Sequence, residues 1–129
     1  MRLTPIDLRK GGTKEKETSK AKRVDVMRIT FDIDRNLIDA SGENLLYLCI
    51  FDPAGELLTN PALGSGSFTN AEGKTNYYSL SKKVMIEKGK TLHDITVDWN
   101  QGADYTKGGY KVLIYHKGYE IGEETVNLR

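Results

Sequence analysis

Few side chains in this chain could do chemistry, and their spacing does not bring them together. His93 and His116 are the only histidines, and neither stands at a metal-binding spacing, at i and i+4 on a helix or beside paired cysteines. Surface or strand-edge positions account for both. Asp32 with Asp34, and Asp98 with Asp104, could offer oxygens to calcium at strand ends, but no glycine-punctuated loop carries three or more such ligands. Ser65 lies in Gly64-Ser65-Gly66-Ser67, which is not the Gly-x-Ser-x-Gly turn of an activated serine. Lys107-Gly108-Gly109 has the composition of a phosphate loop, yet no helix follows to aim its N-terminus at an anion. Cys49 is the single cysteine and sits in an apolar run, where it reads as a small buried hydrophobe. These residues predict no catalysis, no cofactor and no metal centre.

Tyrosine is the other signal. Seven tyrosines stand against three phenylalanines and one tryptophan, and a tyrosine ring supplies rigid contact area with a polar handle. Tyr105, Tyr115 and Tyr119, with His116, lie in or beside the last strand pair and are the candidate binding residues.

The elements that must position them are strands. Tyr110, Val112 and Ile114 alternate with Lys111, Leu113 and Tyr115, and Lys117-Gly118 then supplies a two-residue turn into Tyr119–Leu128. Met27, Ile29, Phe31 and Ile33 alternate with Arg28, Thr30 and Asp32, which predicts a half-buried strand. Asn44 to Phe51 is apolar on both faces and predicts a central strand. Asp52-Pro53-Ala54-Gly55 has type I turn chemistry and leads to a strand over Glu56–Thr59, which Pro61 ends. Phe68 begins a short strand, Asn76 to Ile86 forms another, and Ile95, Val97 and Trp99 mark the dry face of a strand over 92–99. About seven antiparallel strands at spacings of roughly ten residues predict an immunoglobulin-like β-sandwich over residues 24–129.

Charge divides the chain differently. Residues 1–23 hold eight Lys or Arg against three Asp or Glu, whereas the remainder holds eleven against fifteen. From Lys10 to Arg23 there is no apolar periodicity and no aromatic residue, so residues 1–23 are expected to be a disordered, basic tail or linker. No run approaches the length of a membrane span, and Met1–Leu8 lacks a secretory apolar core, which predicts a cytoplasmic protein.

Asn36–Gly42, Leu46–Gly55, Gly64–Phe68 and Gly108–Tyr115 with Gly118 and Ile121-Gly122 together resemble a small bacterial immunoglobulin-like β-sandwich module. Similar modules end uncharacterised coiled-coil proteins, some loosely labelled chromosome-partitioning. The resemblance covers about Val24 to Leu128 and carries turn and strand signals, with no functional residue to transfer. No coiled-coil heptads precede the module in this chain.

The expected function is a non-catalytic protein-interaction or structural module that uses a sheet edge or the loop-end tyrosines. One alternative is a nucleic-acid-associated protein that grips phosphate through its basic N-terminal arm. Another is a carbohydrate- or calcium-binding module.

Overall fold

Alternating burial follows from the period of two wherever the sequence alternates. Met27, Ile29, Phe31 and Ile33 are buried on one strand, and Tyr110, Val112 and Ile114 on another. The computed structural model describes residues 1–129 and contains ten strands, all paired antiparallel. They are β1 (Arg2–Arg9), β2 (Lys14–Glu17), β3 (Val26–Ile33), β4 (Gly42–Phe51), β5 (Gly66–Thr69), β6 (Thr75–Tyr78), β7 (Leu80–Ile86), β8 (Leu92–Trp99), β9 (Gly108–His116) and β10 (Tyr119–Leu128). One sheet has the order β2-β1-β3-β8, a second has β10-β9-β4-β7, and β5-β6 form a separate hairpin. Met27, Ile29 and Trp99 from the first sheet meet Leu48, Ile50, Val112 and Ile114 from the second in one continuous core. β4 is central, as its double-sided apolar run requires.

Residues 1–23, expected to be a disordered tail, are folded. β1 lies between β2 and β3; its Leu3 joins the core, and its Ile6 is also buried. β2 is Lys-Glu-Lys-Glu and wholly exposed, so burial cannot hold it. Backbone pairing with β1 does, reinforced by Arg28, whose guanidinium reaches Glu15 at 2.7 Å and grips Asp98 through Nε at 2.8 Å and Nη2 at 2.9 Å. Arg28 and Asp98 are direct cross-strand partners, so one arginine ties β2, β3 and β8 together. The same charge makes β2 a poor template for a further strand.

Two other expectations change. The strand expected over Glu56–Thr59 is a single bridge, Phe51 to Leu57, and the strand expected over 76–86 is broken at Ser79 into β6 and β7. Both changes come from one buried hydroxyl. β7 serves the free side of β4 as far as Leu48, where Ser79 N–H still donates to Leu48 O at 2.8 Å. Beyond it, Ser79 Oγ accepts from Ile50 N at 2.9 Å and donates to Leu58 O at 2.6 Å, while Leu58 N returns to Ile50 O at 2.8 Å. The edge of β4 is thus handed from β7 to the 57–58 segment through a side chain. Ser65 Oγ completes the junction, donating to Ser79 O at 2.6 Å and accepting from Asn60 N at 2.8 Å.

Ser79 is fully buried, so its loss would strand both the Ile50 N–H and the Leu58 carbonyl. Ser79→Ala is expected to destabilise the fold by about 2–4 kcal/mol, since each buried polar group left unpaired costs on the order of 1–3 kcal/mol. Exposed Ser81→Ala is expected to stay within about 0.5 kcal/mol. Urea unfolding of the two variants checks the difference.

Candidate functional site

The β9–β10 turn is built as its sequence predicts, with Lys117 at φ +52° and Gly118 at φ +82°. Two successive positive φ values match the right-handed twist of the strands they join. Lys117 Nζ donates to Asp39 Oδ1 at 2.7 Å, which fixes the turn against the β3–β4 loop and holds the Asp39 carboxyl below its usual range.

A second turn docks beside it. Asn70 Oδ1 accepts from Glu72 N and Lys74 N, and Asn70 Nδ2 donates to Asn76 Oδ1, so one side chain organises the β5–β6 reversal. Ala71 N donates to Gly118 O at 3.0 Å. A Cβ at Gly118 would lie 2.7 Å from Ala71 N, so glycine is required both by φ and by this approach.

Behind the turns, the β5–β6 hairpin lies over the face of the second sheet turned away from the core. Tyr47 and Tyr115 are cross-strand partners on that face, Phe68 stacks on Tyr47 at 4.5 Å and 6°, and Phe68 meets Tyr115 at 5.2 Å. Tyr78 meets both Tyr47 at 4.7 Å and Phe68 at 6.3 Å, which completes the cluster. Beneath this cover Cys49 Sγ donates to Tyr77 O, and burial pushes the thiol up to about 11, which leaves it protonated and inert near neutrality.

Between the two turns runs an open groove of about 340 Å³, flanked by Tyr115, Tyr119, Glu72 and Glu120 and floored by Asn70, Ala71 and Gly118. Tyr119 is 66 % exposed, and Tyr115 is half-buried, its phenol pKa raised first by burial and then by nearby Cys49 and Glu120. The groove therefore offers an aromatic face and two carboxylates on a rigid frame. Another cavity, of about 170 Å³, lies between Met1, Phe31, Ile114 and Ile121 and is also bordered by Asp32 and Glu123.

Of the four candidate binding residues, the structure brings Tyr115 and Tyr119 together at this groove and places the other two elsewhere. Tyr105 is 4 % exposed; its hydroxyl donates to Trp99 O at 2.9 Å and its ring meets Tyr110 edge-on at 5.7 Å. Burial raises its phenol pKa far above the ordinary value, and it offers no surface to a partner. His116 is also 4 % exposed, because the alternation that turns Tyr110, Val112 and Ile114 inward continues to it. Its Nε2 lies 3.2 Å from Asn44 Oδ1, and burial with the neighbouring Lys117 charge lowers its pKa, Asp39 offsetting part of this. Glu72 and the Asn70 turn were not among the expected site residues. Their turn composition marks a reversal in sequence but not the surface on which it docks.

The remaining candidates hold structural posts. Asp32 Oδ1 accepts from Asp94 N at 2.8 Å and its other oxygen lies 3.3 Å from His93 Nδ1, which together keep its carboxyl below the usual range. Asp34 accepts from Asn36 N, and Asp98 is held by Arg28. No group of three or more His, Cys, Asp or Glu is placed to hold a metal ion. Gly108 has φ +124° and a Cβ there would meet Pro53 Cβ at 2.7 Å, so the glycine pair serves strand entry. No helix is long and apolar enough to cross a membrane.

A family model described as a domain of unknown function (DUF8428) matches residues 1–129, so the chain belongs to that family. The match takes in the N-terminal hairpin together with everything after it. No curated protein and no solved structure matches the chain.

The lowered pKa of His116 has a definite consequence for stability. An unfolded histidine takes up its proton near pH 6.5, whereas folded His116 resists it, so stability is complete above about pH 6.5 and falls on acidification below it. His116→Gln keeps a donor for Asn44 and is expected to flatten the loss between about pH 7 and about pH 5.5 in thermal melts. The Asp39–Lys117 pair fails in a separate window, because a carboxyl of lowered pKa contributes fully above about pH 4 and fades only below it.

Proposed function

We propose that this DUF8428 member is a non-catalytic protein-interaction module of immunoglobulin-like type, and that it takes a protein segment into the groove between its Asn70 and Gly118 turns. The observation that carries this reading is an exposed tyrosine, Tyr119, set beside Glu72 and Glu120 on two turns locked to each other by the Ala71–Gly118 hydrogen bond. A rigid aromatic face beside two carboxylates suits a lysine or arginine side chain, through cation–π contact and charge-assisted hydrogen bonds.

Strand order supports the immunoglobulin-like part. In this reading β1-β3-β8 correspond to strands A, B and E, and β10-β9-β4-β7 to G, F, C and C′. Tyr110, near the start of the F-position strand, accepts from Thr106 N through its hydroxyl at 2.9 Å, the arrangement of a tyrosine corner.

Loop-end recognition is favoured over strand addition because three of the four sheet edges carry blocking devices. β2 is uniformly charged, β8 turns its backbone at Asp94 with φ +58°, and on β10 Glu124 Oε1 accepts from Thr125 N at 3.0 Å. A peptide strand would have to displace these.

Selection from a displayed random-peptide library is expected to enrich sequences with a basic residue, and Tyr119→Ala with Glu120→Lys is expected to weaken them about tenfold or more. Both substitutions lie on exposed positions and should leave the melting temperature nearly unchanged. Enriched peptides that bind the double variant equally well, or no enrichment at all, would remove the groove from consideration.

A further inference from the structure

A second surface feature lies at the other end of the β9–β10 hairpin, about 30 Å away by strand length. Here a cleft of about 230 Å³ is lined by Lys20, Lys22, Lys107 and Arg129 alone. These cations come from three distant segments, and hydrogen bonds fix each segment. Arg129 N donates to Ser19 O at 2.7 Å, Ala21 N to Arg129 O at 2.9 Å, and Arg129 Nε to Ser19 Oγ at 2.9 Å. Arg23 N returns to Lys20 O at 2.9 Å, and Thr106 N, next to Lys107, is held by the Tyr110 hydroxyl.

None of the four has an ion-pair partner, whereas Arg2, Arg28 and Lys117 each have a carboxylate within 3.2 Å. Asp25 and Asp104 line an adjoining cleft that Lys22 also borders, and Asp25 is already engaged by Leu8 N at 2.8 Å. Repulsion at the site is felt by Lys20, whose pKa is lowered first by Arg23 and then by Arg129. An anion of matching charge would relieve it.

The lining also limits the ligand. No aromatic or apolar side chain faces the cleft, so there is no platform on which a nucleobase could stack. Four cations around a small volume suit several negative charges held close together better than a single carboxylate. We infer that the cleft formed by Lys20, Lys22, Lys107 and Arg129 binds a compact, multiply charged phosphate group, such as a di- or triphosphate, by charge alone.

The test uses the full chain with inorganic tripolyphosphate as probe, followed by calorimetry and thermal melts at about 50 mM and about 200 mM salt. Tripolyphosphate is expected to raise the melting temperature and to bind markedly less at the higher salt. ATP is expected to bind within about threefold of tripolyphosphate and AMP about tenfold or more weaker, which separates the phosphate chain from the nucleoside that carries it. Lys20→Ala with Lys107→Ala is expected to lower affinity about tenfold or more without lowering the ligand-free melting temperature, and the charge-matched control Lys82→Ala with Lys88→Ala is expected to retain binding. The inference is overturned by no response to millimolar tripolyphosphate, by equal losses in the two double variants, or by AMP binding as well as ATP. Tighter binding of a DNA duplex at the same salt, lost in the Lys20 and Lys107 variant, would overturn it in favour of a nucleic-acid backbone.

Discussion

The buried hydroxyl of Ser79 is the constraint on which the rest of the second sheet depends. A central strand must satisfy both of its edges, and β4 outruns β7 by several residues at its C-terminal end. Ser79 bridges the gap by accepting from Ile50 N and donating to Leu58 O, so the Asp52 turn and the 57–58 segment can take over the strand edge. The same residue separates β6 from β7. The chain before it is thereby free to leave the sheet plane, fold as the β5–β6 hairpin, and lie across Tyr47 and Tyr115.

From that cover the groove follows. Phe68 and Tyr78 hold the hairpin to the sheet through ring packing, and the Asn70 turn is carried to Gly118, where the absence of a side chain lets Ala71 N reach the carbonyl. Tyr119 and the two glutamates then stand on a frame with little freedom to rearrange. Preorganisation of this kind lowers the entropic cost of binding, which gives a small open groove a route to useful affinity.

Much of the framework was legible because its residues obey the period of two. β3, β4, β8 and the β9–β10 hairpin all have alternating or fully apolar runs, and their turn carries the glycine that the geometry demands. His116, expected at the surface or a strand edge, is instead buried, because the inward series Tyr110, Val112, Ile114 runs on to it. The N-terminal hairpin was not legible, because β2 contains no apolar residue and is held by backbone pairing and by Arg28, contacts that link residues distant in sequence. Tyr105 could not be placed inside from composition, because its burial depends on the reach of its hydroxyl to Trp99 O. Ser79 left no signal at all, as one serine among several in a polar stretch.

The two surfaces that remain after structural posts are assigned differ in character. One is aromatic and acidic and lies at the closed end of the hairpin; the other is basic and lies at its open end. The central claim, recognition of a protein segment at the closed end, is tested most directly by amide chemical-shift mapping of the labelled chain titrated with a selected peptide. The account predicts shifts concentrated at Asn70–Glu72 and Tyr115–Glu120. Shifts running along β10 from Glu123 to Leu128, with the two turns unmoved, would contradict it and point to strand addition instead.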